Sequence, residues 1–184
     1  MWPKVQKVLG FLPTKLVTGL ATCGPVGKWG IAPGTNGSVV GVLLYTAIFF
    51  NLSIGQEILV ILIMAGMAIL LCDEAERRLQ KRDPGEVVLD EIVAVPLCFL
   101  GMKGQMIDSG YVWLYLLAGF FIFRVFDVVK PFGINRLQKY PGGLGVVLDD
   151  LAAAVATNIT LWVLAFAASH GNWSSVISGL TGSP

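Results

Sequence analysis

Ionisable side chains stand at the ends of three apolar runs. Arg124, Asp127 and Lys130 follow at intervals of three where one run closes, Asp149 and Asp150 stand side by side where the next opens, and Asp90-Glu91 precedes IVAVPLCFLG. Residues three apart share a helix face, so the first set forms one stripe of cation, carboxylate and cation. Five acids at the ends of three helices can be gathered by a bundle. Carboxylates so gathered repel unless a cation or a proton lies between them; alternatively each pairs separately with Arg124, Lys130 or a helix N-terminus, for stability alone. Oxygen donors without a histidine or cysteine beside them select a hard cation, and Mg²⁺, which keeps part of its water and bridges to phosphate, suits that set best.

The elements that must position these groups are set by the solvent around them. Of 184 residues 55% are hydrophobic and 14% charged, with a mean hydropathy of +0.73. Soluble domains carry about 25% charged residues, so the chain reads as an integral membrane protein. A net charge of +1 gives no ground for a nucleic-acid partner. Cys23, Cys72 and Cys98 lack C-x-x-C spacing, which argues against a zinc site or a disulfide framework. The N-terminus shows no A-x-A-like cleavage site and reads as no removable signal.

The pattern predicts an all-α polytopic helical bundle, a single membrane-embedded domain over residues 1–184 with about five crossings. Residues 1–28, with four lysines among apolar residues, form a basic segment at the interface, broken near Pro13. The apolar runs at 39–50 and 58–72 make a helical hairpin. Asp73 to Glu86, with nine charges in fourteen residues and Glu74 and Arg78 at i,i+4, reads as a solvated helical extension, Glu76 included. The third run, from Ile92 to Met102, is short for a span and must be tilted, kinked at Pro96 or extended through its acids. The last runs are 109–123 and 151–169, followed by a tail at 170–184.

With five crossings, 12 of the 13 Lys and Arg residues fall on the side of the N-terminus and only Lys103 falls opposite. The positive-inside rule then puts that side, and the five acids with it, in the cytoplasm. His170, the single histidine, ends the last run on the other side and is a poor base for this cluster, so triad chemistry is not supported. What remains is metal-assisted chemistry on a phosphorylated lipid. Gly24 to Ser38, GPVGKWGIAPGTNGS, is too rich in glycine and proline for one regular element. Thr35, Asn36 or Ser38 would cap the helix that follows, whose free N–H groups can hold a phosphate. Lys28 precedes these glycines, so the Walker pattern is not met, and the stretch reads equally as a plain loop leading into the membrane.

In APGTNGS at 32–38, DEIVA at 90–94, FRVFDVVKPFGI at 123–134 and GGLGVVLDDLAAAV at 142–155, in this order and spacing, the chain resembles the phosphatidylglycerophosphatase A family. The resemblance covers about residues 24–156. It implies a bacterial inner-membrane enzyme that removes the terminal phosphate of the phospholipid phosphatidylglycerophosphate with Mg²⁺. It further implies metal-holding roles for Asp90, Glu91, Asp127, Asp149 and Asp150, and catalytic roles for Asp127, Asp150, Lys130 and Arg124. Lys130 and Arg124 would balance phosphoryl charge. Lys28 and the turn of Gly34, Thr35, Gly37 and Ser38 would bind the substrate. Ala94 and Gly133 stand where the family usually has glycine and proline, changes that spare every ionisable group. The rival readings are a CDP-alcohol phosphotransferase, whose D-G-x-x-A-R signature is absent, and a small transporter or channel subunit, disfavoured by apolar helix centres.

Overall fold

The computed structural model describes residues 10–170, and among these every regular element is helical. Residues 1–9 of the basic segment and 171–184 of the tail lie outside the described residues. The helices are α1 (Thr14–Ala21), α2 (Pro33–Ala47), α3 (Ile54–Leu79), α4 (Leu89–Ala94), α5 (Lys103–Ser109), α6 (Val112–Val129) and α7 (Gly143–His170). 3₁₀ turns extend α4 over Val95–Phe99 and link α6 to α7 over Pro131–Lys139. α2 with its following turn, α3, α6 and α7 are each long and apolar enough to cross a membrane, and α4 with its 3₁₀ turn makes a fifth such unit with α5, bent by 63°.

Local chemistry sets the ends. α1 begins directly after Pro13, and its Val17 and Ala21 are buried while Leu16 and Leu20 stay exposed. α2 starts on Pro33, which has no N–H to lose at the first helical position. Its N-cap is therefore Ala32, and Thr35, Asn36 and Ser38 lie inside the helix instead of capping it. Gln56 reaches back to accept the Ser53 backbone N–H at 2.9 Å, half of a capping box that opens α3. α6 ends where Lys130 turns left-handed, φ +48°, and Pro131 forbids further helix.

The third run crosses the bundle by breaking. α4 starts beside the acids, and Pro96 sits in the 3₁₀ stretch that follows. The carbonyls of Cys98 and Leu100, released by that break, both accept from the Asn158 side chain, at 2.9 and 3.1 Å. Backbone groups inside a membrane need such partners. Beyond the break, Gly101 N–H donates to Glu57 and the Lys103 ammonium to the Leu52 carbonyl, so the chain has reached the turn that joins α2 to α3, opposite the acids. Tyr45, Phe49, Phe99, Met102, Phe123 and Leu161 fill the core between. Ala153 and Ala154 of α7 are fully buried there, so these small residues pack within the chain.

Helices touch where glycine permits. A Cβ on Gly37 would lie 3.0 Å from Val88, and one on Gly41 would lie 2.7 Å from Val95. Both contacts draw α2 against α4 and thereby bring the start of α2 to the acids.

Candidate active site and metal centre

Three helix ends meet at one end of the bundle. The first turn of α4 supplies Asp90 and Glu91, the last two turns of α6 supply Arg124 and Asp127 with Lys130 just beyond, and the second turn of α7 supplies Asp149 and Asp150. With Gly34 of α2, Asp83, Gly85, Val87 and Val146 they enclose a cavity of about 240 Å³. Six carboxyl groups and two cations line it, a formal excess of four negative charges with every group ionised.

The stripe expected on α6 is present. Arg124 donates to Asp127 at 2.7 Å, and Lys130 lies 3.9 Å from the other Asp127 oxygen while forming an ion pair with Asp149. Arg124 also lies 3.9 Å from Glu91 and donates to Ser38 Oγ at 3.4 Å, which in turn donates to the Gly34 carbonyl at 2.8 Å. Burial works against the Lys130 charge, but the bond to Asp149 and the charges of Asp149, Asp127 and Asp150 outweigh it and hold the ammonium above the usual lysine range. Lys130 is thus a fixed cation at neutral pH.

Asp90, Glu91 and Asp150 each offer one oxygen, all within 4.8 Å of one another. Asp90, Asp149 and Asp150 are 5%, 2% and 4% exposed. Asp90 Oδ1, Glu91 Oε2, Asp149 Oδ1 and Asp150 Oδ2 are buried without a hydrogen-bond partner. Buried carboxylate oxygens of one sign, close together and unpartnered, are unfavourable in a bare protein and fit an oxygen-loving cation. The residues present therefore suit a metal, with Asp90, Glu91 and Asp150 as its nearest donors.

The expected phosphate turn is less concentrated. Gly34 lines the cavity, and a Cβ there would strike Glu91 Oε1 and lie 3.1 Å from Arg124 Nη1. Ser38 reaches the site through Arg124, whereas Gly37 packs on Val88 and neither Thr35 nor Lys28 lines the cavity. Asn36 instead donates to the Trp29 carbonyl and so holds the preceding loop. His170 ends α7, far along the helix from Asp150, as expected.

The 73–86 stretch is the helical extension expected, exposed at Arg77 and from Gln80 to Asp83, but it is anchored by a buried acid. α3 extends through it to Leu79, and Glu74 is 1% exposed, bonded to Arg78 at 2.6 Å, the i,i+4 partner its spacing predicts, and to Arg77 at 2.5 Å. Glu76 accepts the Asp83 N–H at 2.6 Å, and Asp83 lines the cavity. Composition hid Asp83 among its charged neighbours. The usable signal was its place before Pro84-Gly85, a turn leading straight to Asp90-Glu91.

A family model described as "Phosphatidylglycerophosphatase A" matches residues 19–165. A relative in Bacteroides thetaiotaomicron, named "Putative phosphatidylinositol-3-phosphatase", is 30% identical over 84% of this chain and 96% of its own length. Proteins named phosphatidylglycerophosphatase A in Haemophilus influenzae and Escherichia coli are 28% and 27% identical, over 73% and 76% of this chain and 80% and 76% of theirs. No solved structure matches the chain. With the family model spanning residues 19–165 and thus all three acid-bearing helix ends, the chain belongs to the phosphatidylglycerophosphatase A family.

Proposed function

We propose that this chain hydrolyses the terminal phosphomonoester of phosphatidylglycerophosphate, with Mg²⁺, at the cytoplasmic face of a bacterial membrane. The observation that carries the reading is the cluster of Asp90, Glu91 and Asp150 with its unpartnered buried oxygens, facing Arg124 and Lys130 across one small cavity at the end of membrane-crossing helices. A divalent cation bound there would supply Lewis-acid polarisation of the phosphate and a more acidic water. Arg124 and the permanently charged Lys130 would hold the phosphoryl oxygens and offset their charge as it builds. Asp127 and Asp149 fix these two cations in place. In the reaction a water oxygen bonds to phosphorus, the bond to the glycerol oxygen breaks, and that oxygen takes up a proton, so phosphatidylglycerol and inorganic phosphate leave.

The test is phosphate release by the purified protein from phosphatidylglycerophosphate in mixed micelles. Turnover is expected with Mg²⁺ and loss of it after chelation; full turnover after exhaustive chelation overturns the metal's part. The name of the Bacteroides relative favours a second headgroup, inositol 3-phosphate. Faster release from phosphatidylinositol 3-phosphate in the same assay would make that the substrate.

Orientation has its own check. Lys103 stands opposite the acids, while the other described Lys and Arg residues lie on segments at the acid-bearing end, which supports a cytoplasmic site. In a variant lacking the three native cysteines, a cysteine at Gln80 is expected to resist an impermeant thiol reagent in right-side-out vesicles, and one at Ser53 to react. The reverse pattern inverts the topology.

A further inference from the structure

We propose that Asp83 reads the alcohol part of the substrate, its carboxylate accepting a hydrogen bond from a free hydroxyl on the carbon next to the phosphorylated one. This rests on the phosphatase reading above and adds what the site recognises beyond the phosphate.

Asp83 and Val146 line both the metal-centre cavity and an adjoining groove of about 400 Å³ walled by Arg82, Asn135, Gln138 and Lys139. Asp83 therefore stands at the cavity's rim, where a bound phosphate gives way to the rest of the molecule. Its backbone is left-handed, φ +46°. That conformation is unfavourable for most L-residues, least so for Asp and Asn, and it persists only where the surroundings impose it. They do so here. Glu76 accepts the Asp83 N–H at 2.6 Å, the Arg82 guanidinium donates to the Gln138 carbonyl, and the buried Pro84 accepts from Val87 N–H at 2.8 Å. A backbone so tied holds Asp83, itself exposed, at the cavity's rim.

The chemistry available to it is narrow. Asp83 stands apart from the three acids whose oxygens converge within 4.8 Å. It repels the phosphate, for which Arg124 and Lys130 stand ready on the same cavity. An ionised carboxylate only accepts hydrogen bonds, and the donor that a phosphorylated glycerol offers beside its phosphate is its free hydroxyl. At about 30 Å³ for each water-sized group, the 240 Å³ cavity has room for roughly eight, enough for a phosphate and the first carbons of its alcohol.

The test compares phosphatidylglycerophosphate with its 2-deoxy analogue, in which 1,3-propanediol replaces the phosphorylated glycerol, both with saturating Mg²⁺ and full-length protein. Wild type is expected to prefer the hydroxylated substrate by roughly 10- to 100-fold in kcat/KM, the range set by one hydrogen bond to a charged acceptor at an exposed rim. Asp83→Gly removes the carboxylate and suits the positive φ, so folding is preserved. It should erase the preference by lowering kcat/KM for the glycerol substrate alone, within about threefold of unchanged on the deoxy analogue. Asp83→Asn, which keeps an acceptor and tolerates the same backbone, should fall between. Equal loss on both substrates, or loss on neither, overturns the proposal. Failure of wild type to release phosphate from either overturns the phosphatase reading itself, and this one with it.

Discussion

Asp150→Asn is expected to lower turnover by a factor of about 10² to 10³ or more, roughly 3 kcal/mol of transition-state stabilisation, without loss of folded protein. Asp150 is 4% exposed, its Oδ2 has no partner, and it shares the tightest carboxylate cluster with Asp90 and Glu91. If its role were only structural, the sign of the stability change would give it away. Removing a carboxylate that holds a cation or an arginine in place destabilises, whereas removing one from an excess of four negative charges relieves repulsion. In metal-free buffer Asp150→Asn should therefore match or exceed the wild-type Tm. Added Mg²⁺ should raise the wild-type Tm, by binding only the folded state, and leave the variant nearly unmoved. Near-normal turnover, or an equal Mg²⁺ response in both proteins, removes Asp150 from the centre. Asp108→Asn is the matching control, exposed at the opposite end of the bundle.

The acid-bearing helix ends were legible because charge next to an apolar run has few places to go. Lys130-Pro131 and Asp149-Asp150 each sit where a membrane helix stops or starts, and the Arg124, Asp127, Lys130 spacing places them on one face before any tertiary contact is known. The short third run was legible as broken or tilted from its length and Pro96, yet what makes the break tolerable, Asn158, lies 60 residues from the Cys98 carbonyl it serves. Distance in sequence hides such partners. The start of α2 departs from the pattern for a different reason: Thr35, Asn36 and Ser38 suggest a polar cap, whereas Pro33 already suits the first turn. Asp83 is exposed, as a charge run predicts, but its place at the cavity's rim depends on the loop being tied to Glu76 on one side and, through Arg82, to the 3₁₀ stretch on the other, which neither periodicity nor composition carries.

Gly34→Ala is expected to reduce kcat by about 100-fold or more while the protein keeps or gains stability. The added Cβ would overlap Glu91 Oε1 and lie 3.1 and 3.3 Å from the two Arg124 terminal nitrogens, so one carboxylate beside the metal donors and one phosphate-holding cation must both move. Misplacement of about 1 Å in such groups costs on the order of 10²-fold. Stability runs the other way, because Gly34 lies in the first turn of α2, where alanine is favoured over glycine by up to about 1 kcal/mol. An inactive Gly34→Ala with a lowered Tm would mean that α2 had failed to dock and would leave no case for a cavity effect. Retained Tm with lost kcat, and a Mg²⁺-induced Tm rise smaller than that of wild type, is the pattern that crowding of Glu91 and Arg124 demands. Gly37→Ala, placed one turn along against Val88, supplies the contrast. There the new Cβ meets mainly a packing surface 3.0 Å away, so the Tm should fall and turnover per folded molecule should change far less than at Gly34.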